Sequence, residues 1–272
     1  MVTTYKHSKE RLNLIYINAI IDIASFWMSF IILAASTFQI QRLYLIYLQK
    51  VGGRRLMLLP ASFCVPCHEL SHYLAAKISG HKVMSMSLFS PNKSGTLGFV
   101  EHSYKPSILS PFTNAFIGMA PLIGGFFVIY LLTAILNPDT LSLLKMKVFV
   151  GSSDIQENVM QFIDASTRII LTHYDKPIFW VWYVLVANIA VFSVPSLADF
   201  QGATKGIMIF LVIYILSVAH FGLTSGFHGL IVPLASIYVP VLLLSVVMVG
   251  FTLVLLFVIN LMMTHVLTTK NR

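Results

Sequence analysis

Apolar residues run through this chain in long blocks separated by short polar breaks, a pattern unlike the strict two-residue alternation of half-buried strands. A bilayer-crossing helix needs about 20 mostly apolar residues. Segments 12–38, 56–79, 112–136, 178–198, 205–224 and 235–264 meet that length, so six spans are expected. The last region contains Pro233 and Pro240, which are expected to mark a turn and a helix start. Between the second and third blocks, Val83-Met84-Ser85-Met86-Ser87-Leu88 and Thr96-Leu97-Gly98-Phe99-Val100 read as two strands around the turn-rich Pro91-Asn92-Lys93-Ser94-Gly95. A β-hairpin at the membrane surface is expected there. Further on, Ser153 with Gln156 three residues later resembles a capping box, and Val159, Met160, Phe162 and Ile163 would line one face of a short surface helix. No internal repeat or low-complexity linker divides residues 1–272, which read as a single integral membrane domain.

Composition agrees with that pattern. The chain is 57% hydrophobic and 10% charged, and its mean hydropathy of +0.83 lies outside the range of soluble domains. The expected fold class is therefore an all-α polytopic membrane protein with one small membrane-associated β-hairpin. A net charge of +8 would suit nucleic acid if it were gathered on one stripe, but the 18 Lys and Arg sit singly or in pairs at the ends of apolar segments. Anchoring at lipid headgroups is the better account, with the bilayer as a partner and nucleic acid excluded. With six spans both termini share a side, and that side carries ten of the basic residues against eight opposite, which favours cytosolic termini in a plasma membrane. The first apolar stretch is long and lacks a small-residue processing site, so no cleavable signal is expected.

The candidate chemistry lies in the second block, at His68-Glu69-Leu70-Ser71-His72. Two imidazoles four residues apart on a helix face one way and can hold one metal ion, with the intervening carboxylate beside it. Zinc hydrolases keep three protein ligands and one open position for water, so a third ligand must come from elsewhere. An anionic ligand would lower the cost of a divalent cation in hydrocarbon. Asp199, expected to close the fourth span, fits. His220, Glu101, His102 and Asp22 remain as rivals.

The run from His68 to Lys77, followed by Gly80 and Val83, resembles the first core helix of the site-2 protease-like family of intramembrane zinc metalloproteases. That family places a membrane-associated β segment next, matched by residues 83–100. It then has a helix with a small-residue element, to which Gly118-Met119-Ala120-Pro121 is similar, and a proline-containing segment whose Asp completes the zinc site. The resemblance covers roughly 56–206, leaving 12–38, 205–224 and 235–264 as accessory spans. It implies Zn2+ held by His68, His72 and Asp199, with a membrane-protein transmembrane helix as substrate. Three departures stand out: Ser71 occupies a usual Gly position, Phe200 follows the Asp where Gly is usual, and Ser193-Val194-Pro195-Ser196 replaces an Asn-rich motif.

On this reading Glu69 takes the proton of the attacking water and passes it to the leaving amine. No residue identifies itself as oxyanion stabiliser or substrate-binding group; Asn114 and Asn188 are better read as interhelical hydrogen-bonders. Ser71, Thr113 and Ser193 are candidates to line a water path, and the hairpin edge could pair with an extended substrate. Cys64-Val65-Pro66-Cys67-His68 also satisfies the c-type haem pattern, but an apolar span is a poor place for haem attachment. A sulfur-ligated structural zinc, or two small core residues ahead of a helix started by Pro66, are the other readings. Among other functional classes, a catalytically silent scaffold of the same fold remains the alternative. A di-iron hydroxylase would need several His clusters. A prenyl-protein peptidase would need a late Glu, and none follows Glu157. A zinc transporter would show more His or Asp along several spans.

Overall fold

A computed structural model describes residues 2–92, 95–143, 155–221 and 226–270. Helix dominates. The first element, α1, runs Val2–Ile78 and is broken once, at Gly53, whose φ of 66° and ψ of −173° lie where essentially only glycine goes. The blocks at 12–38 and 56–79 are therefore two arms of one broken helix, with no loop between them; the side chains of 12–34 lie outside the described residues. Pro66 does not start a helix, because the second arm is already helical from 54 and carries both Pro60 and Pro66 in its interior. Each proline removes one backbone hydrogen bond, a loss that neighbouring helices can absorb.

That arm ends in a Schellman cap. Gly80 at φ 73° lets the His81 amide donate to Ala76 O (2.9 Å) and its own amide donate to Lys77 O (3.1 Å). The expected hairpin follows directly. Strands β1 (Lys82–Ser87) and β2 (Phe99–Ser103) pair antiparallel, Val83 opposite His102 and Ser87 opposite Phe99, with a bulge between Val83 and Ser85. Between the strands, Ser90 N–H donates to Leu97 O at 2.6 Å and Asn92 N–H to Thr96 O at 2.9 Å. This strap folds back on the helices, where Phe89 and Leu97 pack on the main core and Arg54, just past the Gly53 break, donates to Asn92 O at 2.6 Å.

The remaining helices are α2 (Ser110–Leu136), α3 (Pro138–Leu143), α4 (Ile155–His173), α5 (Pro177–Phe192), α6 (Leu197–Phe221) and α7 (Gly226–Lys270). Three stretches among the described residues are long and apolar enough to cross a membrane: Ser110–Leu136, Leu197–Ser217 and Leu243–Val266. The expected block 178–198 appears as the 16-residue α5, and Pro195 then breaks the chain before α6. No turn interrupts α7, whose backbone stays helical through Pro233 and Pro240. For α4 the helix is present, but Ser153 and the side chains of Gln156 and Val159 lie outside the described residues. Ala165 and Ile169 face inward while Met160 and Ile163 are exposed.

The core gathers around α5, where Trp182, Val186, Ile189 and Val191 are buried against Tyr44, Cys64, Ile129, Leu244 and Met248. Its polar groups are paired: Trp182 Nε1 donates to Thr133 Oγ1 at 3.0 Å, and Tyr44 donates to Asn188 Oδ1 at 2.9 Å. Asn188 thus makes the expected interhelical bond, whereas Asn114 reaches the Tyr104 hydroxyl after β2. Helices α2 and α6 approach closely through small residues. A Cβ on Gly118 would lie 2.5 Å from Asp199 O, and one on Gly206 would overlap Pro111 O.

Candidate metal centre

The second arm of α1 carries His68, Glu69 and His72, and helical spacing puts the two rings on one face. Each ring is oriented by a backbone carbonyl on a different helix. His68 Nδ1 lies 2.7 Å from Phe192 O at the end of α5, and His72 Nδ1 lies 2.8 Å from Ile117 O on α2. A carbonyl oxygen can only accept, so both Nδ1 atoms carry protons and both Nε2 atoms of the neutral rings present lone pairs. Those lone pairs converge, with Nε2 of His68 and Nε2 of His72 3.2 Å apart.

Asp199 completes the convergence, with His72 Nε2 at 3.3 Å from Oδ1 and His68 Nε2 at 3.8 Å from Oδ2. It reaches this position as N3 of α6, not as the end of the preceding span. Ser196 is the N-cap: its amide donates to Asp199 Oδ2 at 2.7 Å and its Oγ accepts from the Asp199 amide at 3.2 Å, a capping box. Capping and ligation are therefore both open to one carboxylate, since the cap holds Oδ2 and leaves Oδ1 facing His72.

Three acceptors facing one point call for a positive charge among them, which a protonated imidazole paired with Asp199 or one shared cation can supply. Tetrahedral zinc, with ligand atoms at about 2.0–2.2 Å from the ion, sets them about 3.3–3.6 Å apart, close to the 3.2 and 3.3 Å contacts of His72 and somewhat inside the 3.8 Å between His68 and Oδ2. Among the described residues, His68, His72 and Asp199 are the group of His, Cys, Asp and Glu able to share an ion. The rivals are engaged elsewhere: Glu101 accepts from Ser85 Oγ and His102 pairs with His81. His220 sits exposed in the last turn of α6, and the Asp22 side chain lies outside the described residues.

Glu69, next to His68, is only 8% exposed. The strap closes over it, because a Cβ on Gly98 would lie 2.7 Å from Glu69 Cγ. Cys64 is buried in the core and Cys67 donates to Phe63 O at 3.4 Å, so neither thiol joins the three ligands. Ser71, Thr113 and Ser193 each turn their hydroxyls back onto their own helices, toward Cys67 O, Ser110 O and Ile189 O.

A second polar cluster had no counterpart in the sequence reading. The Schellman cap delivers His81 beneath β2, where its Nδ1 lies 3.0 Å from His102 Nδ1 and its Nε2 3.1 Å from Thr113 Oγ1. Thr113 donates to Ser110 O, so it must accept from His81 Nε2–H, leaving His81 Nδ1 to accept from His102 Nδ1–H. Tyr104 stacks on His81 at 4.7 Å between ring centroids. Burial pushes both imidazoles below the ordinary histidine range, and for His102 the neighbouring His81 pushes the same way. Only Gly80 before His81 hinted at this arrangement.

Comparison with protein-family models, with curated proteins and with solved structures found no match to this chain.

Proposed function

We propose that this protein is an intramembrane zinc metalloprotease of the site-2 protease-like family, hydrolysing a peptide bond in or near the transmembrane segment of a membrane-protein substrate. The observation that supports it best is the convergence of two lone-pair nitrogens and a carboxylate, each oriented by a separate backbone or capping hydrogen bond. Zn2+ held by His68, His72 and Asp199 would acidify a bound water and polarise the scissile carbonyl. The chain's own residues do the rest. The carbonyls of Phe192 and Ile117 keep both Nε2 lone pairs turned inward, as outer-shell acceptors do for ligating histidines. Glu69, beside the ligands and largely shielded by the strap, is the general base that takes the water proton and returns it to the leaving amine. The edge of the β1–β2 hairpin offers unpaired backbone groups to an extended substrate segment.

In this reading six spans cross the plasma membrane with both termini in the cytosol, the three apolar helices being joined by α5 and by the two arms of α1. The test uses purified full-length chain in detergent. Bound zinc near one per chain should be lost in His68→Ala and Asp199→Ala. Cleavage of transmembrane peptides should be abolished in Glu69→Gln with zinc retained. Zinc binding without cleavage of any peptide would favour the silent scaffold, and absence of zinc from wild type would reject both.

A further inference from the structure

We propose that the Gly124-Gly125 dipeptide of α2 is a positioning notch for the metal centre, seating Ser71 of the metal helix on one glycine and Ser193 of the approach to Asp199 on the next. The inference rests on the metal reading above. Ser71 stands between His68 and His72, and its hydroxyl donates back to Cys67 O at 2.7 Å. The Ser71 side chain then fills the space over Gly124: a Cβ there would overlap Ser71 Oγ and lie 2.9 Å from Ser71 Cβ. On the other side Ser193, buried and donating to Ile189 O at 2.6 Å, fills the space over Gly125, where a Cβ would overlap both Oγ and Cβ of Ser193.

The two seats point in different directions, because consecutive residues on a helix are turned about 100° from each other. One faces α1, and the other faces the turn between α5 and α6. Seven residues earlier α2 repeats the arrangement. Ile117 O accepts from His72, and Gly118 receives the backbone oxygen of Asp199 at 2.5 Å from its Cβ position. Ile117 and Gly124 therefore form one track for the His-bearing helix, and Gly118 and Gly125 form a second for the Asp-bearing segment. Contacts seven residues apart are separated by roughly 10 Å along the helix. On the metal helix the two contacts come from the neighbouring residues Ser71 and His72, and on the other track from Ser193 and Asp199, so they set the distance and rotation of each ligand-bearing segment against α2. Helix α2 supplies no ligand, yet it gauges the gap that the ion must fill. The serine at position 71, where the resembled family usually has glycine, is accommodated by the missing side chain opposite.

The test is a rescue matrix read as Co2+ affinity from the visible absorption of the detergent-solubilised full chain, with Zn2+ competition as a second measure. Gly124→Ala and Gly125→Ala should each weaken binding by about 10–100-fold, the usual range for residues that orient ligands. Ser71→Gly should restore Gly124→Ala to within a few-fold of wild type, and Ser193→Gly should restore Gly125→Ala. The crossed pairs, Gly124→Ala with Ser193→Gly and Gly125→Ala with Ser71→Gly, should stay weak. The matched doubles also answer the objection that a single variant merely fails to fold. Wild-type affinity in both glycine variants, or rescue by crossed pairs equal to that by matched pairs, overturns the notch. A wild type that takes up no metal rejects the metal reading instead.

Discussion

If His68, His72 and Asp199 hold an ion as proposed, replacing Gly118 by alanine should withdraw the carboxylate without altering any of the three. The new methyl would meet Asp199 O at 2.5 Å and the Ala203 methyl at 3.0 Å. A carbon and a carbonyl oxygen rest at about 3.3 Å, so the first turn of α6 must retreat by about 0.8 Å. The obstacle is backbone and cannot rotate away. Metal–ligand distances tolerate about 0.2 Å, so a retreat of that size takes Asp199 out of the coordination sphere and should cost about 100-fold in affinity, or about 2.7 kcal/mol. The assay is Zn2+ competition against a chromophoric chelator. Gly202→Ala serves as the control, since nothing lies within 4 Å of a Cβ there. Because Gly118→Ala acts through Asp199, adding Asp199→Ala should weaken binding little further, whereas two independent losses would add. Wild-type affinity in Gly118→Ala, or full additivity with Asp199→Ala, would refute the argument.

Two other expectations concern the scaffold. Tyr44→Phe removes the donor to buried Asn188 Oδ1 and should lower stability by about 1–3 kcal/mol, seen in thermal melts in detergent while metal affinity holds. Acidification should loosen the hairpin: with the folded pKa of both His81 and His102 depressed, the fold favours the neutral rings. Stability is then unaffected above the unfolded value of 6.5 and falls as pH drops through it, because the unfolded chain takes up protons that the pair resists. Protection factors of the β2 amides, exchange rates corrected for the intrinsic pH dependence of exchange, should fall from about pH 7.5 to about pH 5.5, and His102→Asn should flatten that fall; unchanged protection would count against the pair.

Much of the site was legible because its signals are local. The spacing of His68 and His72 needs only helical geometry, and two β-rich runs around Pro91 and Gly95 specify a hairpin, here displaced by up to three residues toward the C-terminus in β2. Charge singles out Asp199 in the sequence, but the structure sets it in the first turn of α6 and not at the end of the preceding span. The Ser196-to-Asp199 capping box is readable in the sequence, yet the apolar run across Pro195 masks it. Helix boundaries inside apolar stretches were the least legible, since Pro233, Pro240, Pro60 and Pro66 all sit within helices and the α1 break falls at Gly53. For α4, apolar residues cover both a packed and an exposed arc, so periodicity alone could not say which faces the core. The carbonyls of Phe192 and Ile117, and the glycines facing Ser71 and Ser193, depend on tertiary approach and leave no mark in local sequence.

The brevity of α5 bears on how the proposed site would be wetted if it works within lipid. Its 16 residues extend only about 24 Å, against a hydrocarbon thickness of about 30 Å. A bilayer bordering so short an apolar element relieves the mismatch by thinning locally. One end of α5 gives way to Ser193-Val194-Pro195-Ser196, the stretch that leads into Asp199, so thinning at that end would lie beside the proposed site. Headgroups and their hydration would dip toward the ion site at that place, shortening the path a water molecule must travel through lipid.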